Sequence, residues 1–84
     1  MKKIIVSLAF SLALSACADP VERSAEYMES GKTLYAQDKL AKAKLEFRNA
    51  LQIDNKLAGA YYHLGLIDEQ DKNWKGMYKN LSKT

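Results

Sequence analysis

Residues 31–50 read GKTLYAQDKLAKAKLEFRNA, and the reading of this stretch decides the fold. After Asp38 and Lys39, the residues Leu40, Ala43, Phe47 and Ala50 recur at intervals of three and four, which places them on one stripe of a helix. Asp38 precedes that stripe and carries a side chain able to accept from free amides, so it is expected to cap the helix start. Gly31 lies upstream, within a second helical pattern that holds Tyr27 and Leu34. A glycine inside a helix costs about 1 kcal/mol relative to alanine, so its presence there needs a compensating contact. Close approach supplies one. The expectation is that the bare backbone at Gly31 lets the following helix bring Ala43 and Ala50 against the first, with Tyr27, Leu34 and Phe47 filling the flanks.

Working outward, residues 24–84 contain Leu, Ala, Lys, Glu and Gln with scattered aromatics, no proline and no two-residue alternation. The fold class expected is all-α. Asn73 gives a second start signal before Trp74, and Asp54-Asn55-Lys56 interrupts the pattern after Ile53. Four helices follow, over residues 24–37, 39–53, 57–71 and 74–84. A shift of the sequence by 34 lays Tyr27 on Tyr61, Gly31 on Gly65, Leu40 on Trp74 and Phe47 on Leu81, while the turn at Asp38 falls on Lys72. A helix-turn-helix period of this length is a repeat signature.

In that series Tyr27, Gly31, Leu34, Ala43, Phe47 and Ala50 resemble one complete repeat of the tetratricopeptide family. Tyr61, Leu64, Gly65, Trp74 and Leu81 resemble a second that is cut short. The resemblance implies helical hairpins, one at 24–57 and an incomplete one at 58–84, with these residues packing between helices. It departs from the family at Ser30, Asn55, Asp68, Met77 and Thr84. About three repeats are needed for a stable stack, so the expectation is that further chain or a partner completes this one. In the family the first helix of each pair lines a concave surface. Met28, Lys32, Tyr35, Tyr62, Leu66 and Glu69 fall on the corresponding side and form a candidate groove for a peptide, against the plainer reading of solvated helix surface. The basic pair that clamps a C-terminal carboxylate in some members has no counterpart at Met28.

The N-terminal residues carry a different signal. Lys2 and Lys3 precede residues 4–15, nine of twelve apolar, and then the small residues Ser15 and Ala16. That is the layout of a secretory leader, and the run is shorter than the roughly 20 apolar residues a spanning helix needs. The lone cysteine of the chain follows at once, and one thiol makes no internal disulfide. Leu14-Ser15-Ala16-Cys17 resembles a bacterial lipobox. The resemblance implies a signal peptide over residues 1–16, cleavage between Ala16 and Cys17, diacylglycerol on the Cys17 sulfur and a membrane partner held through that lipid. Residues 17–23 then read as a polar tether in which Pro20 discourages helix, reaching about 20 Å if extended. With Ala18 and not aspartate after the cysteine, the sorting pattern of such lipoproteins implies the periplasmic face of the outer membrane, with the inner membrane as the alternative.

Composition bounds the chemistry. The formal charge is +3, and loss of Lys2 and Lys3 leaves eleven cations against ten acids, intermixed like ordinary solvated helix surface with no nucleic-acid footprint. His63 is the only histidine; Asp68 and Glu69 give it no zinc spacing, so it reads as an exposed helix residue and no metal is expected. The serines lack a histidine partner by spacing, and Gly59, Gly65 and Gly76 do not form a phosphate loop. The expectation is a protein that is not an enzyme, uses no cofactor and binds a protein or peptide partner. Residues 44–54, KLEFRNALQID, resemble the opening repeat of lipoproteins of exopolysaccharide export and PEP-CTERM protein sorting. That implies an interaction adaptor in the bacterial envelope. The alternatives are a pilus-assembly lipoprotein, a small membrane-active lipoprotein, and a fragment without independent function.

Overall fold

The computed structural model describes residues 19–84, so the leader, the cleavage site at Ala16 and the lipidation candidate Cys17 lie outside the described residues. Four helices and no strand are found among the described residues: α1 (Pro20–Ala36), α2 (Leu40–Ile53), α3 (Ala58–Gln70) and α4 (Trp74–Leu81). The fold is all-α. Consecutive helices pack on one another, α1 on α2, α2 on α3 and α3 on α4.

The first helix begins earlier than its sequence pattern indicates. The Asp19 carboxylate accepts from the Glu22 amide at 2.9 Å, and Pro20 occupies the first helical turn. A proline there loses nothing, because its missing N–H would have had no partner in the helix and its φ is already helical. The tether expected over 17–23 is therefore helical from Pro20 onward.

Asp38 takes a different role from the cap expected of it. Its φ is 61°, in the left-handed region, and α2 starts after Lys39 without a side-chain cap. Asp38 N–H donates to Tyr35 O at 3.0 Å and Lys39 N–H to Leu34 O at 2.9 Å, the paired bonds of a Schellman turn that close α1. Lys72, thirty-four residues on, has φ 59°; it donates to Glu69 O at 3.1 Å, and Asn73 donates to Asp68 O at 2.8 Å. The same turn thus joins each helix pair. Asp38 tolerates it because its short polar side chain suits the left-handed region, whereas Lys72 carries the steric cost of its Cβ. Asn73 does act as a cap, accepting from the Gly76 amide at 3.1 Å.

Inside the hairpins the two glycines meet equivalent neighbours. A methyl group on Gly31 would lie 2.7 Å from Cε1 of Phe47, and one on Gly65 would lie 2.6 Å from Cδ2 of Leu81. The Phe47 ring therefore sits over Gly31, not on its flank as the sequence pattern indicated. Ala43, Phe47, Ala60, Leu64 and Ile67 form the buried core, with Leu34, Leu40, Leu51 and Leu57 packed at its margin. Ala50 is buried too, and Tyr27, Tyr61 and Leu81 are half-buried. The Tyr61 hydroxyl donates to Asn55 O at 2.9 Å, and the Lys83 ammonium lies 5.0 Å from the centre of its ring. Trp74 departs from the packing role expected of it, being 58 % exposed. Its counterpart Leu40 is held against a core to which α3 contributes, while the described helices leave the corresponding side of α4 open.

The glycine contacts give a two-sided prediction. Gly31→Ala pushes a methyl group into a fully buried ring and is expected to destabilise by about 1–3 kcal/mol despite alanine's better helix propensity. Gly59→Ala meets only the flexible tip of Met28 at 3.3 Å and is expected to stabilise by about 0.5–1 kcal/mol. Urea midpoints of the two variants should move in opposite directions.

Candidate partner groove

The groove residues expected from the sequence are all contributed by α1 and α3, which lie side by side through long side chains. Met28 reaches the backbone of Gly59, and the Tyr35 hydroxyl accepts from Nε2 of Gln70 at 3.3 Å. Between these points stands His63. Its ring stacks on Phe47 with centroids 4.9 Å apart and planes at 22°, and it meets Tyr35 and Tyr62 edge-on, each at 5.6 Å. Nδ1 of His63 lies 2.8 Å from Gly59 O, one turn back, which places a proton on that nitrogen as donor. His63 is therefore a half-buried member of an aromatic cluster and not an ordinary exposed helix residue. Nothing local marks it in the sequence, because Tyr35 and Phe47 come from two other helices.

The six expected residues do not share one surface feature. Met28 and Lys32 line an apolar cleft of about 550 Å³, walled by Pro20, Val21 and Ala25 of α1 and by Ile53 and Leu57 at the α2–α3 connection. Glu29 and Lys32 form an ion pair at 3.6 Å on its lining, largely in solvent and so of little energetic weight. Tyr35 and Tyr62 belong instead to the His63 cluster. Leu66 is half-buried and Glu69 is exposed, and neither lines the cleft. The cleft residues Pro20, Val21 and Ala25 were not singled out from the sequence, because residues 17–23 read as a tether.

A second, polar pocket of about 230 Å³ is bordered by Lys44 and Arg48 of α2 and by Gly76, Lys79 and Asn80 of α4. At its base Asp68, only 3 % exposed, accepts from Nδ2 of Asn80 at 2.7 Å. A side chain at Gly76 would begin 2.9 Å from Oδ2 of Asp68, so the glycine makes room for the carboxylate. This contact explains a charged residue where the repeat pattern calls for a large apolar one: the α4 amide partner satisfies it. Among the described residues no cluster of His, Cys, Asp or Glu is arranged to hold a metal ion, and no helix is long and apolar enough to cross a membrane.

What the α1–α3 side offers chemically is an apolar cleft with charged groups at its edge, next to aromatic rings that are partly open to solvent. Such a surface suits binding of an apolar side chain or peptide segment. Compared with protein-family models, curated proteins and solved structures, the chain shows no significant match.

His63→Ala is expected to cost about 0.5–1.5 kcal/mol from loss of the stack on Phe47, beyond any loss from burial. Tyr62→Ala, at an exposed edge of the same cluster, should cost less. Paired urea denaturation curves for the two variants check the order.

Proposed function

We propose that this chain is a lipid-anchored tetratricopeptide lipoprotein that acts as an interaction adaptor in the bacterial cell envelope. The observation that carries the reading is the geometric repeat at an offset of 34. Gly31 beneath Phe47 matches Gly65 beneath Leu81, and left-handed Asp38 matches left-handed Lys72. Two unlike kinds of feature, a side-chain contact and a backbone turn, recur at one spacing, which supports hairpins of the tetratricopeptide type.

The lipobox resemblance at residues 14–17 supports the anchor. In this reading a diacylglyceryl group on the Cys17 sulfur, with cleavage after Ala16, tethers the folded part to the bilayer, and two or more acyl chains hold it where one would not. Helix α1 is capped at Asp19. Two residue steps from Cys17 to Asp19 span at most about 8 Å. The start of α1 is therefore held near the anchor, and a peptide gripped by Met28, with Tyr35 and Tyr62 beyond it, is held at the envelope surface. The protein works by placement of a partner, without a catalytic step of its own. The resemblance of residues 44–54 supports exopolysaccharide export or protein sorting as the setting and the periplasmic face of the outer membrane as the location.

Labelled palmitate fed to cells that make the chain tests the anchor. Incorporation into the parent and its loss in Cys17→Ala are expected, and an unlabelled parent contradicts the reading. A photo-crosslinking residue in place of Tyr62 tests the adaptor role in the same cells: a discrete adduct is expected, absent when the residue replaces Gln52 on α2.

A further inference from the structure

The charges that alternate along the sequence are sorted by the fold. Helices α1 and α3 carry Glu22, Glu26, Glu29 and Glu69 against Arg23 and Lys32. The other pair is basic: Lys42, Lys44 and Arg48 on α2, and Lys75 and Lys79 on α4. Only Glu46 opposes them at the surface, and it is occupied with Nδ2 of Asn49 at 3.3 Å, while Asp68 is buried below and held by Asn80. These two helices form one side of the molecule, since Lys44, Arg48 and Lys79 surround the same polar valley between them. Of the exposed large apolar residues among those described, Val21 lies on α1 and Tyr62 on α3, and three lie on the basic pair. Leu45 on α2 and Trp74 and Tyr78 on α4 are 59 %, 58 % and 78 % exposed.

We propose that this basic layer docks on an anionic phospholipid bilayer. Lysine and arginine side chains lay their stems along apolar surface and present charge to headgroup phosphates, while tryptophan, tyrosine and leucine among them enter the interfacial region. Cations near such a surface are attracted strongly enough that several act together as a second attachment signal beside an acyl anchor. The docked orientation turns α1 and α3, with the apolar cleft and the His63 cluster, away from the bilayer and toward a partner. The proposal deepens the lipoprotein reading, and its test separates the two.

Trp74 is the only tryptophan of the chain, so its emission reports this layer directly. The full chain is mixed with vesicles of phosphatidylcholine alone and with vesicles containing about 30 % phosphatidylglycerol. Expected is a blue shift of Trp74 and protection from acrylamide on the anionic vesicles only, reversed by about 0.5 M salt. The combined variant Lys42→Glu, Lys75→Glu, Lys79→Glu, shown to be helical by circular dichroism, is expected to lose the shift, with partitioning weakened by at least about tenfold. Three outcomes overturn the proposal: Trp74 stays water-exposed on anionic vesicles, it shifts equally on neutral ones, or it shifts with protein concentration in the absence of lipid, which marks a second copy as the occupant. Attachment through the N-terminus is read separately by flotation of acylated chain with the neutral vesicles. Failure there sinks the anchor and leaves the Trp74 result readable.

Discussion

Seating of the Phe47 ring on the bare backbone of Gly31 is the contact from which the other arrangements follow. The ring is fully buried and a methyl group on Gly31 would overlap it, so α1 and α2 meet at a separation that only glycine permits. On its other side the ring stacks on His63 of α3, which means that one side chain joins three helices. The His63 cluster, and through it the placement of Tyr35 and Tyr62, depends on that seat. Gly65 under Leu81 repeats the arrangement for α3 and α4 with a smaller, half-buried partner. The second hairpin is correspondingly the lighter of the two, and α4 contributes no buried residue.

Several of these relationships could be read in the sequence because they are periodic. The stripe through Ala43, Phe47 and Ala50 and the correspondence at 34 residues both depend on spacing alone, and spacing survives folding. What could not be read depended on context. Aspartate before an apolar run suits a helix cap and also suits a left-handed turn, and only the hydrogen bonds around Asp38 decide between them. Proline breaks a helix interior but opens a helix at its first turn, so Pro20 was compatible with both a tether and a start. His63 gives no local sign of its neighbours, which arrive from α1 and α2. Trp74 matches Leu40 by offset, yet burial requires a covering helix, and none of those described lies over it. Charge sorting was hidden because it runs by alternate helices and not by sequence blocks.

The two sides of the molecule are unlike. One, made by α1 and α3, combines an apolar cleft with aromatic edges and a surplus of carboxylates. The other, made by α2 and α4, is basic with isolated exposed apolar side chains. For a protein proposed to be tied to a bilayer within a few residues of α1, this polarity gives the attachment a direction: one layer meets lipid and the opposite layer meets a partner. The buried pair of Asp68 and Asn80 fits the same division, since it removes a carboxylate from the basic surface and uses it to hold α4 in place.

Proton contacts in solution test the glycine seats most directly. A nuclear Overhauser spectrum of the chain is expected to show cross-peaks from the Phe47 ring to the Gly31 α-protons and from the Leu81 methyl groups to those of Gly65. Helical dichroism without either pair of cross-peaks would mean that the helices form but do not meet as described, and the account of the fold and of both its surfaces would be contradicted.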